Sequence, residues 1–527
     1  MPNETPIVIT GFMGTGKSTV APLVAQRLNR PFIDLDALIE QQTGRTIADM
    51  FTEEGEAAFR RAEQAALRHV LNTPNIVVAT GGGALLAPSA RRFATQRAIV
   101  IELRARPETI LARLGADTGR PLLDGDQWHM RVQDLYRERC AAYARLPYHV
   151  ETDDRTPHEI ADAVIALLAS ASPAPPPEVR RVPVQSPTGA YTILIGDDAT
   201  ADMRTALPDI ERVQRVAIIT DEHVAPLHAA AVRAEWLAGK IPADVYTIPA
   251  GEQAKTLDTV ATLYERLLHD GHDRHTLIVT LGGGVVGDLG GFVAATYMRG
   301  VPFVQVPTSL LAMVDASVGG KVGVDHAGAK NIVGAFKQPA LVVADTAFLA
   351  TLPPREIRNG LAEVVKHALI ADPELLEWLE AGEWAWPALV ERAVRVKVNI
   401  VEQDPFEHGV RAWLNLGHTF GHALETVSGF ELAHGEAVAV GLVLAARLAA
   451  RLGMASEALE PRLVRLLKRL GLPTAYPADP EAVWEAMQFD KKKRGKRLRF
   501  ILPRDVGQVE IVSDVPREMV LEVLRGA

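Results

Sequence analysis

The stretch Ile-Val-Ile-Thr-Gly-Phe-Met-Gly-Thr-Gly-Lys-Ser, residues 7–18, decides the fold of the first part of the chain. Its apolar start is typical of a buried strand, and the rest has the spacing G-x-x-x-x-G-K-S before a helix predicted over residues 17–28. Glycines in such a loop let backbone N–H groups approach phosphate oxygens. Lys17 can reach the β and γ phosphates, and the Ser18 hydroxyl can hold Mg²⁺. The stretch therefore predicts a phosphate-binding loop in a parallel α/β domain.

The residues after this loop continue to alternate between strand and helix patterns. We predict strands at 32–34, 76–79 and 98–103, and helices at 36–42 and 47–69. Six prolines within residues 171–188 preclude a helix there and favour a stiff, extended linker. The linker ends a first domain of about 170 residues, within the usual size of one domain.

A second α/β region follows the linker, and helical periodicity dominates from about residue 352 to 475. Strand patterns in the second region occupy residues 191–195, 216–220, 244–248, 277–281, 303–306 and 341–344. We therefore predict a P-loop NTPase-type α/β domain (1–170), a proline-rich linker (171–188), a Rossmann-like α/β domain (189–350) and a mainly α-helical domain (351–527).

Composition narrows the class of protein. The formal net charge of the 527 residues is −9, which gives no bulk attraction to nucleic acid. Cys140 is the only cysteine, so neither an intramolecular disulfide nor a cysteine zinc site is possible, and a reducing cytoplasm is expected. No export signal is visible, and the apolar run 437–446 has about half the length that crosses a bilayer. We expect neither a nucleic-acid nor a membrane partner.

Histidines in the helical region form a candidate metal site. His418 and His422 are four residues apart and therefore share one helical face, and His434 precedes a glycine near a predicted helix start. Together with Glu363 they supply a His/His/Glu set that suits catalytic Zn²⁺ with an open coordination position. Spacing alone leaves His422 open as a further ligand.

The second α/β region also carries anion-binding patterns. Asp221 follows a strand, where an acidic group commonly meets a ribose hydroxyl. Residues 249–256 form a turn with a carboxylate and a cation, and residues 282–288 form a glycine cluster that opens a helix. Basic residues are scattered through this part of the chain and favour a phosphorylated acidic substrate over nucleic acid. They are Arg299, Lys321, Lys330, Lys366, Lys397, Arg411 and Lys491-Lys492. Residues 490–497, taken alone, resemble a nucleic-acid-binding basic patch.

Residues 5–168 resemble shikimate kinase. The resemblance depends on the phosphate loop and on residues 32–40, 43–45, 59–61, 81–83 and 120–123. It implies ATP with Mg²⁺ as cofactor, Arg120 as a catalytic residue on a mobile lid, and Asp36 as the group that orients the acceptor hydroxyl. The sequence departs from the family pattern at Arg139-Cys-Ala-Ala-Tyr143, where a proline is missing. Arg145 lies nearby and is an alternative candidate for the role of Arg139. The implied shikimate-binding residues are Asp36, Arg60, Gly82 and Arg139. Those implied for ATP and Mg²⁺ are Gly14, Thr15, Gly16, Lys17, Ser18, Thr19, Arg155 and Asp34.

Residues 190–525 resemble 3-dehydroquinate synthase. The matching stretches are 282–291, 296–300, 305–308, 315–321, 330–331, 360–366, 415–422, 434–436 and 490–492. The resemblance implies Zn²⁺ (or Co²⁺) on Glu363, His418 and His434, and NAD⁺ on the Rossmann-like half. The implied NAD⁺ contacts are Asp221, Gly251, Glu252, Lys255, Gly283, Gly284, Val285, Gly287, Asp288, Thr308, Ser309, Lys321, Lys330, Phe348 and Thr351. The implied substrate contacts are Asp315, Lys321, Asn331, Lys366, Lys397, Arg411, Asn415, His422 and Lys491, with Lys366, His422 and Arg299 in catalytic roles.

Both resemblances together imply a bifunctional enzyme of chorismate and aromatic amino-acid biosynthesis, and a homodimer formed through the C-terminal half. In the implied synthase reaction NAD⁺ oxidises a hydroxyl, phosphate is eliminated, the hydride returns, and the opened ring closes by an aldol step. Two alternatives stay open. One half could be a non-catalytic regulatory module, or the C-terminal half could be a related sugar-phosphate cyclase or polyol dehydrogenase.

Overall fold

The computed structural model describes residues 4–115, 128–327, 329–494 and 498–526, and for 489–494 the backbone alone. The chain forms two compact units. The first unit comprises Met1–Glu178, Asp197–Leu281 and Val293–Val304. The second unit comprises Val179–Gly196, Gly282–Phe292 and Gln305–Ala527.

The first domain contains a parallel five-stranded sheet, as the sequence predicts. Its strands have the order β2-β3-β1-β4-β5. The central strand β1 pairs in parallel with β3 and β4, and its residue Val8 lies opposite Val78 and Val100. The strands are β1 (Ile7–Thr10), β2 (Phe32–Asp34), β3 (Val77–Ala79), β4 (Ile99–Arg104) and β5 (Tyr148–Glu151).

Helices cover both faces of this sheet, because successive strand residues point to opposite sides. Ile7 and Ile9 pack in one buried core with α1 and α8, whereas Val8 packs in another with α4 and α5. The single helix predicted over 47–69 is two helices, because Gly55 has a φ of 78° and interrupts the helical backbone. The helices are α1 (Lys17–Leu28), α2 (Leu35–Thr43), α3 (Ile47–Glu53), α4 (Glu56–Val70), α5 (Pro88–Arg97), α6 (Pro107–Leu114), α7 (Trp128–Tyr143) and α8 (Pro157–Leu168).

The end of the proline-rich segment forms a strand. β6 (Arg180–Val184) pairs antiparallel with β7 (Tyr191–Gly196) in the second unit. Pro183 is tolerated there because β6 lies at a sheet edge, where a missing N–H costs no ladder hydrogen bond. Residues 171–179 contain no helix, as the prolines predict, and residues 180–184 of the segment belong to a sheet.

The first unit continues with residues 197–281, which form a parallel arrangement of β8, β9 and β10. Helix α10 of this segment packs against α4, α5 and α7 of the first domain. The elements are α9 (Met203–Ala206), β8 (Arg215–Asp221), α10 (Ala230–Ala238), β9 (Ala243–Ile248), α11 (Leu257–His269) and β10 (Thr276–Gly282). The first domain and the start of the second α/β region thus share one compact unit.

The rest of the chain is helical apart from a few strands, in agreement with the predicted fold class. The elements are α12 (Gly284–Thr296), β11 (Phe303–Pro307), β12 (Lys321–His326), β13 (Ala329–Phe336), β14 (Leu341–Asp345), α13 (Pro354–Ala371), α14 (Pro373–Ala381), α15 (Trp386–Gln403), α16 (His418–Val427), α17 (His434–Arg451), α18 (Leu459–Arg469), α19 (Pro480–Arg494), β15 (Arg499–Asp505), β16 (Gln508–Ser513) and α20 (Arg517–Arg525). Two antiparallel hairpins, β12–β13 and β15–β16, were not predicted. Among the described residues, none of the helices combines the length and the apolar character that crossing a bilayer requires.

Candidate active sites

The glycine-rich loop of the first domain lies between β1 and α1. Gly14 and Gly16 have φ values of 78° and 94°, a left-handed conformation that glycine adopts without strain. Lys17 donates from Nζ to the Phe12 carbonyl at 2.9 Å. No side chain caps the amino end of α1, because the residue before the helix is Gly16. The first N–H groups of α1 are therefore suited to an anion such as a phosphate.

Asp34, the last residue of β2, and Asp36, in the first turn of α2, have different environments. Asp34 caps α2, because its Oδ1 accepts the N–H groups of Asp36 at 3.0 Å and Ala37 at 3.3 Å. Asp36 lies beside Gly81, where a Cβ would be 2.6 Å from Asp36 Oδ1. Burial raises the pKa of Asp36 to about 6, and the nearby carboxylates of Glu63 and Asp34 add to the shift. Asp36 is thus a carboxylate with a pKa suited to proton transfer near neutral pH.

Two buried arginines lie against the glycines that follow β3. Arg60 donates from Nη1 to Glu63 Oε2 at 2.7 Å, and Gly83 leaves the space that its guanidinium occupies. Arg139 donates to the Gly82 carbonyl at 3.1 Å, and both arginine residues are 8% exposed. The structure thus brings together the four residues that the resemblance assigned to shikimate. Arg145, the competitor of Arg139, instead pairs with Asp198 at 3.0 Å.

Two further predictions for the first domain concern Arg155 and Arg120. Arg155 is exposed beyond β5, and Arg120 lies outside the described residues. Sequence reasoning placed Glu63 on the helix of Arg60 but assigned it no role in the site, although its spacing of three residues from Arg60 was an available signal. It also overlooked Arg113, which donates to the Gly14 carbonyl at 3.3 Å and the Thr152 carbonyl at 2.7 Å. Arg113 thereby ties the phosphate loop to the end of β5.

In the second unit, three helices bring the candidate zinc ligands together. Glu363 lies in α13, His418 begins α16 and His434 begins α17. The Nε2 atoms of His418 and His434 lie 3.5 Å and 3.4 Å from Glu363 Oε1. Ligand atoms bound about 2.1 Å from a tetrahedral Zn²⁺ lie about 3.4 Å from each other. The three side chains therefore fit a zinc ion with little rearrangement.

The other imidazole nitrogens are also engaged, which orients the two rings. His418 Nδ1 lies 3.1 Å from the Leu416 carbonyl, and His434 Nδ1 lies 3.4 Å from Glu425 Oε1. Such outer partners direct Nε2 toward a metal. Although burial lowers the pKa of His434, hydrogen bonds to Glu363 and Glu425 raise it to about 10, so a metal ion must displace a proton there. His422 lies close to Glu425 and His434 rather than to Glu363. Glu425 was not predicted as a site residue, although it lies three residues after His422.

A buried charge cluster lies next to Glu363. Lys366 forms ion pairs with Glu363 and, at 3.5 Å, with Asp315 Oδ1. Lys397 reaches Asp315 Oδ2 at 2.8 Å, and His367 lies 3.4 Å from Oδ1. Burial alone would raise the pKa of Asp315, but Lys366 and Lys397 outweigh it and hold the pKa well below its ordinary value. The cluster thus holds two buried lysine side chains beside Asp315. His367, fully buried, was not singled out from the sequence.

The other predicted substrate residues of the second unit lie in varied settings. Arg411 is 4% exposed and donates to the Gly319 carbonyl at 3.3 Å, and Lys321 pairs with Glu407 at 2.5 Å. Asn331 is exposed in β13, with its N–H donating to Asp325 Oδ1 at 2.7 Å. Asn415 ends the turn before α16, and the side chain of Lys491 lies outside the described residues.

The predicted NAD⁺ residues belong to both units. Asp221 Oδ1 accepts the N–H groups of His223 and Val224 at 2.9 Å and so shapes the turn after β8. In the second unit the Thr308 N–H donates to the Gly282 carbonyl at 3.0 Å. The first unit holds the predicted NAD⁺ contacts Asp221, Gly251, Glu252 and Lys255, and it also holds the exposed Arg299, which was predicted to be catalytic. The second holds Gly283, Gly284, Val285, Gly287, Asp288, Thr308, Ser309, Lys321, Lys330, Phe348 and Thr351.

Comparison with known proteins decides the family. The 3-dehydroquinate synthase of Desulforamulus reducens is 45% identical over 346 residues, which cover 64% of this chain and 96% of that protein. The chain belongs to the 3-dehydroquinate synthase family. Models of the N-terminal and C-terminal parts of 3-dehydroquinate synthase match residues 245–359 and 360–493, and the shikimate kinase model matches residues 13–169. The chain thus joins a shikimate kinase domain to a 3-dehydroquinate synthase, and both resemblances are confirmed.

Solved structures support the synthase fold. The 2-epi-5-epi-valiolone synthase ValA of Streptomyces hygroscopicus subsp. jinggangensis 5008, with NAD⁺ and Zn²⁺ bound, is 30% identical with a TM-score of 0.59. It matches over 66% of this chain and 99% of its own. A 2-deoxy-scyllo-inosose synthase with carbaglucose-6-phosphate, NAD⁺ and Co²⁺ is 27% identical with a TM-score of 0.60, again over 66% and 99%. Both are less similar in sequence than the 3-dehydroquinate synthase of Desulforamulus reducens.

Proposed function

We propose that this chain catalyses two reactions of aromatic precursor biosynthesis. The first domain transfers the γ-phosphoryl group of ATP to the 3-hydroxyl of shikimate. The synthase part converts 3-deoxy-D-arabino-heptulosonate 7-phosphate to 3-dehydroquinate and phosphate, with NAD⁺ and Zn²⁺ as cofactors. Identity of 45% over nearly the whole of a 3-dehydroquinate synthase carries the synthase assignment. The cluster of Asp36, Arg60 and Arg139 beside Gly82 supports the kinase assignment.

In the kinase site, each buried group has a defined role. Arg60 and Arg139 bind the shikimate carboxylate through charge-assisted hydrogen bonds. Asp36 orients the acceptor hydroxyl and accepts its proton, a role that suits its pKa of about 6, raised mainly by burial. Lys17 stabilises the phosphates, and Ser18 with Asp34 would hold Mg²⁺, which neutralises phosphate charge. Arg120 remains the proposed lid arginine.

In the synthase site, Glu363, His418 and His434 would hold Zn²⁺, whose contribution when bound is to act as a Lewis acid on a substrate oxygen. NAD⁺, bound through the residues assigned to it above, would accept and return one hydride. The buried ammonium groups of Lys366 and Lys397 bind the substrate anions, and Asp315 fixes both ammonium groups in place. His422 and Arg299 are proposed to contact the reacting substrate.

Two assays on the purified full chain test the proposal. One follows ADP formation with ATP, Mg²⁺ and shikimate, and the other follows 3-dehydroquinate formation from the seven-carbon phosphate with NAD⁺ and Zn²⁺. Lys17→Ala should abolish only the first reaction and His434→Ala only the second. An active wild-type chain in which either substitution removed both activities would contradict two independent sites. A chain inactive in one assay would support the regulatory-module alternative for that half.

The related-cyclase alternative is disfavoured because the two other sugar cyclases are only 30% and 27% identical. A homodimer formed through the synthase part, with a mass of twice 57.0 kDa, is proposed from the family resemblance and is tested by light scattering. A cytoplasmic location is proposed because the single cysteine, Cys140, is free.

A further inference from the structure

An arginine outside the kinase domain contacts that domain next to its proposed substrate site. Arg233 lies in α10, which packs against α4 within the first unit. Its Nη1 donates to Glu56 Oε2 at 2.9 Å. Its Nε donates to the Ala243 carbonyl of β9, also at 2.9 Å. Arg233 is therefore held by the synthase part of the chain while it contacts the first turn of α4.

Glu56 links Arg233 to Arg60. One carboxylate oxygen of Glu56 accepts from Arg233, and the other lies 3.4 Å from both Nε and Nη2 of Arg60. The bond to Arg233 is the shorter, so Arg233 draws Glu56 away from a close pairing with Arg60. The remaining Arg60 nitrogen, Nη1, is bound to Glu63. Two of the three guanidinium nitrogens thus have only a long contact, which leaves them suited to an incoming carboxylate.

We propose that Arg233 is a positioning residue for the kinase reaction: it keeps Glu56 from closing onto Arg60, so that Arg60 stays ready for the shikimate carboxylate. The inference rests on the proposed kinase function. Without Arg233, Arg60 is the one cation left among the charged partners described for Glu56. The Glu56 carboxylate would then approach Arg60 and compete directly with the shikimate carboxylate.

The test uses the full chain and measures KM and kcat for shikimate and ATP. Arg233→Gln should raise the KM for shikimate about three- to fivefold, the range expected for a partly exposed ion pair. The kcat, the KM for ATP and the synthase rate should stay unchanged. Arg233→Lys, which keeps the positive charge, should restore most of the affinity. In a Glu56→Gln background, Arg233→Gln should have no further effect, because the competing carboxylate is gone.

Arg215→Gln is the matched control. Arg215 pairs with Asp244 at 2.8 Å, and its side chain is 36% exposed against 38% for Arg233. It has no described ion pair with the kinase domain. An equal KM rise in Arg215→Gln, an unchanged KM in Arg233→Gln, or an undiminished effect of Arg233→Gln in the Glu56→Gln background would overturn the inference. Arg60→Lys separates this outcome from failure of the proposed function: if it leaves the shikimate KM unaltered, Arg60 does not bind the substrate at all.

Discussion

Gly435→Ala should weaken zinc binding although Gly435 is not a ligand. Gly435 is the second residue of α17, directly after His434, and it faces Asn359 of α13. A Cβ at Gly435 would lie 2.5 Å from Asn359 Cα and 2.7 Å from its carbonyl carbon. Non-bonded carbons normally lie about 3.5–4.0 Å apart, so α17 must withdraw by about 1 Å. Because Glu363 is one helical turn beyond Asn359, the withdrawal lengthens the distance from His434 Nε2 to Glu363 Oε1.

The magnitude follows from that distance, which is 3.4 Å in the structure. An increase of about 1 Å exceeds the tolerance of about 0.2 Å that zinc–ligand bonds allow. We expect zinc affinity and synthase kcat/KM to fall about 10- to 100-fold, as for other changes around metal ligands. Zinc retained after dialysis against graded chelator measures the affinity, and the kinase rate of the same sample reports correct folding of the first domain.

Gly526→Ala is the control for Gly435→Ala. Its nearest atom is Nη1 of Arg447 at 3.1 Å, the end of a flexible side chain that can move aside. Zinc affinity in this variant should match the wild type. If Gly435→Ala binds zinc as tightly as the control does, the close approach of α17 to α13 does not set the metal site, and the reasoning fails.

Three further predictions concern the first unit. Asp36→Asn should lower the kinase kcat about 10²- to 10⁴-fold while ATP still binds, as seen by isothermal calorimetry, because the proton acceptor is lost. Arg139→Ala should raise the KM for shikimate about tenfold or more, whereas Arg145→Ala should lower the melting temperature and leave that KM unaltered, since Arg145 pairs with Asp198. Burial, together with the Arg145 cation, lowers the pKa of His228 from 6.5 to about 3. The unfolded chain thus takes up a proton below pH 6.5 that the folded chain refuses, so this contribution to stability is complete above pH 6.5 and falls by up to about 1.4 kcal/mol per pH unit below it. Urea unfolding at pH 7.5 and 5.0 should therefore show a smaller acid loss in His228→Leu than in the wild type, and equal losses would refute the assignment.

Local patterns predicted most of the fold. The strand, loop and helix of residues 7–28 have the predicted bounds because apolar alternation and glycine spacing act over a few residues. Gly55 could have been recognised as a helix break, but the helical pattern on either side concealed it. The hairpin β12–β13 was missed because β13 is largely exposed and carries no buried alternation. β6 was missed because a proline in an edge strand reads as linker.

The candidate sites were predictable as sets of residues, but not as contacts. Spacing alone placed His418 and His422 on one helix, yet only the fold places Glu363 beside His418 and leaves His422 nearer Glu425. The choice between Arg139 and Arg145 depended on Asp198, which is 53 residues from Arg145 along the chain. Burial of Glu63 and His367 likewise follows from tertiary packing rather than from local sequence.

Because residues 197–281 pack on the kinase domain, the kinase and synthase parts should be difficult to separate by proteolysis or truncation. A protease that cleaves near the exposed Pro176 should leave the two fragments associated, because buried charged side chains form hydrogen bonds between them. Arg91 bonds Asp198 at 2.6 Å, and Glu235 accepts the Ser89 N–H at 2.9 Å. A kinase domain expressed by itself would expose Arg91 to water without its acidic partner Asp198, and the truncated synthase would expose Glu235 without the Ser89 N–H that it accepts. Splitting the gene at the linker would therefore require these surfaces to be redesigned for solubility.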